Sequence, residues 1–342
     1  MKRRWQAALG IALSVAGLWW ALHGVPWADL GQRLRGANPW LVLLCSIVAT
    51  SIFPVRAIRW GVILDPVAPG LPFGPRWRAV AIGMMANNLL PARLGELARA
   101  YALTRERPDV RFTSSLASLV VDRLFDAAAV LLMMAAAMLD PHFLGVADFA
   151  GVSARSAATL AIALPAIGFA VIIAVAARPQ VAISLFRRVA RRVAPGIEAR
   201  GTALLEGFEE GLRVVRSPRR FLLVLFWALV MWLLNALAFW IGFRALHINA
   251  SLAAALFVQG VIVAFVSMPS TPGFAGVFEI GARVGLAAFA IPATAAAAWA
   301  ITFHVVSYIP ITVLGLWYLS RAGLTYRDFQ QVAAHRNDEV AS

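Results

Sequence analysis

Apolar runs long enough to cross a bilayer recur along this chain, and they constrain its fold more than any other feature. They cover Trp5 to Leu22, Trp40 to Trp60, Phe112 to Leu139, Ser156 to Ala177, Phe221 to Phe243 and Pro292 to Leu319. A helix needs ~20 such residues to span the ~30 Å hydrocarbon core. In lipid every backbone N–H and C=O must be satisfied within the chain, which leaves helices as the natural spanning element. Of the 342 residues, 61% are hydrophobic and only 14% charged, against ~45–50% and ~25% for soluble domains. The expectation is an all-α polytopic membrane protein with six full spans and one membrane domain over residues 1–342. Lys2, Arg3 and Arg4 precede the first run, which is compatible with a signal peptide. Its length and the lack of a small-x-small cleavage site favour an uncleaved anchor.

Two further apolar regions are interrupted near their middles. Ala79 to Leu103 is broken at Pro91 and Gly95; Ala250 to Ala290 is broken at Pro269, Pro272, Gly273 and Gly276. Irregular backbone at membrane depth is tolerated only where protein or a wet cavity satisfies it, so both regions read as re-entrant hairpins.

The formal charge is +14, from 31 Lys and Arg against 17 Asp and Glu. Arginine excess also follows from genome base composition, so a surface arginine by itself carries no function. With both termini in the cytoplasm, 22 basic residues fall on inner segments, Arg59 among them, and only Arg33, Arg35, Arg155 and Arg244 on outer loops. That asymmetry obeys the positive-inside rule and suits a bacterial inner (plasma) membrane. The same layout exposes a repeat: span, broken hairpin and span occur over residues 40–139 and again, inverted, over 221–319. Inverted repeats with interrupted helices are a common transporter construction. Between them, residues 178–220 alternate apolar and arginine stripes. They suit an amphipathic segment on the inner membrane surface or a solvated hairpin packed on the bundle.

Ionisable residues inside a membrane cost roughly 2.5–3.5 kcal/mol each on insertion scales and are functional candidates by default. Arg93, Glu96 and Arg99 follow the first break and can pair along one helix face. Asp122, Arg123 and Asp126 sit within a span. Glu279 and Arg283 are one turn apart after the second break. Neutralised pairs that hold the bundle together are the structural alternative for each group. Beside broken backbone, a polar headgroup cavity is the simpler account, and arginine's planar fork suits phosphate. The half-helix N-terminus after Pro272 and Gly273 adds N–H groups that favour an anion. Asn87, Asn88, Ser270 and Thr271 supply neutral hydrogen bonds or cap the broken ends. His304 reads as a helix-packing histidine, and Gly281 with Gly285 as a close-packing seam.

Absences narrow the chemistry. No phosphate-binding Gly-x-x-x-x-Gly-Lys loop, His-Glu-x-x-His or Gly-x-Ser-x-Gly occurs, so ATP-driven pumping within this chain is excluded. Cys45 is the single cysteine, which leaves no disulfide or thiolate cluster. No metal or cofactor is expected.

The segments Asn88 to Tyr101, Val121 to Asp126 and Pro269 to Glu279, with Arg56 to Trp60, resemble the lysylphosphatidylglycerol synthase transmembrane region family. The resemblance implies movement of an anionic or aminoacylated phospholipid between leaflets. It carries importance onto Arg93, Glu96, Arg99, Asp122, Arg123, Asp126, Pro272, Gly273, Gly276 and Glu279. The synthases add a soluble aminoacyl-transferase domain, whereas this chain ends soon after its last span; the expectation is therefore a flippase or scramblase and not an enzyme. Its partners are membrane lipids, not nucleic acid, and self-association is compatible. A non-transporting scaffold docked through residues 178–220 is the alternative, followed by an intramembrane lipid transferase.

Overall fold

The computed structural model describes residues 14–90, 94–140, 184, 188, 217–267 and 271–322, and all regular structure among them is helical. After a helical run over residues 14–22 (α1) come α2 (Trp27–Arg35), α3 (Pro39–Leu64), α4 (Phe73–Leu89), α5 (Gly95–Glu106) and α6 (Phe112–Ala137). Then follow α7 (Pro218–Ala245), α8 (Leu252–Val266), a 3-10 turn at Pro272–Phe274, α9 (Val277–Ala287) and α10 (Ala293–Arg321). The expected span at 156–177, nearly all of 178–220, and Pro91, Arg93, Pro269 and Ser270 lie outside the described residues.

Among the described residues, three helices, α3, α7 and α10, are long and apolar enough to cross a membrane. Helix α6 matches α3 at 26 residues but carries Asp122, Arg123 and Asp126 at its centre. The starts of α3 and α7 are locally encoded: each has proline in its first turn, after Asn38 and Ser217 whose side chains accept first-turn N–H groups. Large apolar side chains stay exposed along outer stripes, such as Val305, Ile309, Val313 and Leu316 on α10. A stripe of that size requires an apolar solvent, as a bilayer provides.

Both interrupted regions fold as helical hairpins. In the first, α5 packs against α4 so closely that a Cβ on Gly83 would lie 2.7 Å from the Arg99 Cβ. In the second, Cβ atoms on Gly281 and Gly285 would lie 2.9 Å from the Ile262 Cα and 3.2 Å from the Val258 Cα. Gly281 and Gly285 are thus the packing seam that their spacing predicts.

Helices α3 and α7 pair antiparallel over their length. Asn38 N–H donates to the Ala245 carbonyl (2.8 Å), Cys45 Sγ to the Ala238 carbonyl (3.2 Å), and Arg220 pairs with Asp65 (2.7 Å). Each hairpin then leans on the last helix of the other half. Trp77 and Asn88 of α4 donate to Tyr318 (2.9 Å) and Thr312 (2.8 Å) of α10. Ser251 donates to Asp140, just past α6, at 2.9 Å, and Gln259 of α8 reaches the Met133 sulfur of α6 at 3.4 Å. The two breaks adjoin: a Cβ on Gly273 would lie 3.4 Å from the Asn88 carbonyl oxygen.

Candidate functional site

The first centre lies where α3, α5, α6 and α7 meet. Asp122 and Asp126 stand one turn apart on α6 and face Arg59 of α3, whose guanidinium spans them at 2.6 Å and 2.7 Å. Arg99 of α5 reaches Asp122 at 3.1 Å and lies 4.0 Å over the Trp60 ring. Arg56 and Arg123 each approach Asp126 at 3.4 Å, and Trp232 of α7 donates to it at 3.0 Å. The edge of the cluster is the pair between Arg123 and Glu96, with side chains 47% and 31% exposed. Among the described residues, four arginines against three carboxylates leave one positive charge in excess. Buried N–H groups of Arg56 and Arg99 also have no hydrogen-bond partner among the described residues.

The sequence reading counts Arg59 among the residues of the inner segments without giving it a partner; in the structure it is fully buried between the two carboxylates. Burial is tolerated because two carboxylates offer their oxygens to one planar fork. The signal was present, since Arg56 and Arg59 share a face of α3 one turn apart. The expected pairing of Glu96 with Arg99 along α5 does not form; both turn instead to α6.

The second centre is built on the other break. Gly273 and Gly276 adopt φ 73° and 87°, and Phe274 φ 60°. That region suits glycine and costs roughly 1–2 kcal/mol for a residue with a Cβ. Three clamps hold the turn. Ser14 Oγ accepts the Thr271 N–H at 3.1 Å and bonds the Thr271 hydroxyl at 2.9 Å. Glu279 Oε2 accepts the Gly276 N–H at 2.6 Å, and its other oxygen lies 2.7 Å from His304 Nδ1. His304 Nε2 lies 2.8 Å from the Gly273 carbonyl oxygen.

His304, expected as a helix-packing histidine, joins this centre through both ring nitrogens; nothing local to it in sequence signals these partners. The N–H at the start of α9, expected to favour a bound anion, is capped by the chain's own Glu279. Arg283 does not pair with Glu279 but donates to the carbonyls of Ala21 and His23, both at 3.1 Å, and lies over the Trp20 ring. At the first break, Asn87 Oδ1 accepts the Gly95 N–H at 3.0 Å, so Asn87 caps α5 while Asn88 binds Thr312. The described residues contain no group of His, Cys, Asp and Glu suited to a metal.

Comparison with known proteins bears on what these centres serve. A UPF0104 membrane protein of Methanothermobacter thermautotrophicus is 25% identical, over 84% of this chain and 85% of its own length. A second UPF0104 membrane protein of that organism is 24% identical, over 94% and 93%. A protein of Haloferax volcanii named Glycosyltransferase AglD is 26% identical over 87% of this chain, which spans 51% of that relative. No solved structure matches the chain. The glycosyltransferase corrects the expectation that the chain is not an enzyme, because a relative similar along most of the membrane region carries an enzyme's name. These organisms are archaeal, so the relatives do not mark the chain as bacterial. The sequence pattern of the Lysylphosphatidylglycerol synthase TM region extends from residue 7 to residue 315: the chain is a membrane protein that belongs to this family.

Proposed function

We propose that the protein moves a polar phospholipid, anionic or aminoacylated, between the leaflets, its headgroup held in a midplane cavity between the two hairpins. One observation carries this reading: two interrupted helices adjoin at Asn88 and Gly273, beside an arginine cluster with excess positive charge. Cations beside broken backbone are costly unless they meet a polar ligand or water. Arg123 is the exchangeable donor, since a lipid phosphate can replace Glu96 on its half-exposed guanidinium. The unpartnered N–H groups of Arg56 and Arg99 add capacity behind it.

The antiparallel α3/α7 pair and the exchange of packings between halves support inverted repeats over 40–139 and 221–319. The same reading includes six full spans, two re-entrant hairpins and cytoplasmic termini at an inner membrane. To test it, full-length protein is reconstituted in liposomes and leaflet exchange of labelled phosphatidylglycerol is followed. Exchange faster than in protein-free vesicles, and slowed in Arg123→Ala, supports the reading; wild-type exchange at the protein-free rate overturns it.

A second reading follows from the glycosyltransferase relative: the membrane region takes part in transferring a sugar to a lipid. Because the chain spans about half of that relative, the activity comes over only as a proposal. Purified protein given a sugar nucleotide and a lipid extract is the test, with a new glycolipid as the supporting outcome.

A further inference from the structure

We propose that Glu279 and His304 form a proton-binding site that loads and releases one proton, supplying the coupling ion for the lipid movement proposed above, on which this coupling role rests. The argument is a count of hydrogens. The Gly273 carbonyl can only accept, so His304 Nε2, 2.8 Å away, must carry a hydrogen. The Gly276 N–H can only donate, so Glu279 Oε2, 2.6 Å away, must accept.

The remaining contact, His304 Nδ1 to Glu279 Oε1 at 2.7 Å, needs one hydrogen between its atoms. Without it, a nitrogen lone pair would face a carboxylate oxygen at hydrogen-bond distance. That hydrogen sits either on Nδ1, giving imidazolium and carboxylate, or on Oε1, giving neutral imidazole and carboxylic acid. Either way the pair is net neutral and holds one proton more than neutral imidazole beside free carboxylate. Loading transfers a proton from water to the pair, and release returns it to water and leaves the pair with one negative charge.

The surroundings isolate this exchange. Among the described residues, Tyr308 is the titratable side chain that faces the dyad, its ring 4.2 Å from the imidazole. Arg283, one turn along α9, is turned to the α1 carbonyls. Helix α4, against the turn, carries no charged residue from Ala79 to Leu89, and α1 none from Ser14 to Leu22. The dyad is not sealed: the His304 side chain is 16% exposed and that of Glu279 7%, which leaves an edge for proton entry.

Release has a mechanical consequence. The dyad closes a loop from the Gly276 N–H through Glu279 and His304 to the Gly273 carbonyl, across a turn with three residues at positive φ. Once the shared proton leaves, repulsion parts the two side chains and the turn loses one of its clamps. That turn touches Asn88 at the tip of the other hairpin. Proton occupancy thus sets whether the two tips are held together.

The test uses full-length protein in lipid nanodiscs with ¹⁵N-histidine labelling, the His304 signals being assigned by their loss in His304→Gln. Infrared difference spectra against Glu279→Gln report the carboxyl. At neutral pH, either imidazolium with carboxylate or neutral His304 with a protonated Glu279 is expected. Neutral His304 beside ionised Glu279, whichever ring nitrogen carries the hydrogen, overturns the proton site whatever the transport assay shows, and this readout on the wild type does not depend on variant folding.

In proteoliposomes, one pH unit across the membrane sustains at most about a tenfold lipid asymmetry for one proton per lipid. A wild-type asymmetry that is absent in Glu279→Gln supports coupling, and wild-type exchange that ignores the gradient overturns it. No wild-type exchange at all rejects lipid transport, and with it coupling, while the spectroscopic result still decides the proton site.

Discussion

The two hairpins share one plan and differ in one chemical choice. In each, a glutamate near the start of the second half-helix reaches a cationic or cation-forming side chain on the last helix of its own half. The pairs are Glu96 with Arg123 on α6, and Glu279 with His304 on α10. Arg123 and His304 stand at the same step from the starts of their helices, Phe112 and Ala293. Arginine stays charged under all physiological conditions, whereas histidine changes charge within them. The first hairpin therefore pairs its glutamate with a permanent cation backed by a buried network, and in the proposal above the second holds the exchangeable proton. In the proposed mechanism, similar geometry with different side-chain chemistry separates binding an anion from timing its movement.

That contrast can be broken most severely at its buried base. Asp126→Ala leaves Arg56 and Arg59 without a shared carboxylate, and stripping one partner from a buried ionic network costs about 3–5 kcal/mol. Thermal or SDS unfolding of the purified variant should register a loss of that size, and a loss near zero would show that the first hairpin is not anchored by the network. Next in size is Gly276→Ala. It places a Cβ against the Ser14 carbonyl at φ 87°, with an expected cost of about 1–3 kcal/mol, read as a lower unfolding midpoint and a weakened response to pH gradients.

The contrast is sharpened by exchanging the chemistry. Arg123→His makes the first pair titratable, so lipid exchange should fall as pH rises, because neutral imidazole no longer holds Glu96 or a phosphate. His304→Arg keeps a cation beside Glu279 at every pH and should remove the gradient response. Should both variants keep the wild-type pH profile, the difference between the hairpins has no functional meaning. The smallest effect is expected away from both. Arg107 and Asp109 pair at 2.7 Å in the loop between α5 and α6, and the arginine holds the Asp109 carboxyl below its usual range. Both are solvent-screened, so Asp109→Asn should leave unfolding and exchange unchanged within error.

Much of this architecture is legible locally. Runs of ~20 apolar residues announce helices in lipid, and Pro91, Gly95, Pro272 and Gly276 announce interruptions because they cannot continue a hydrogen-bonded turn unaided. Asp122 and Asp126 announce a shared face by their one-turn spacing. Membership of the family and the identity of most charged candidates follow from such patterns. The pairing of Arg59 is not legible locally, because both of its carboxylates lie on α6, far along the chain. The partners of His304 are not legible locally either, because a single histidine in an apolar helix carries no periodic signal.

By itself, then, the sequence determined that the chain is helical, that it lives in a membrane, and where two of its helices must break. Hydrophobicity, helical period and backbone stereochemistry act over a few residues and need no partner. Only the tertiary structure decided which charge meets which. Glu279 and His304, like Arg59 and Asp126, are neighbours solely because helices distant along the chain pack together, and ion pairing depends on separation in space.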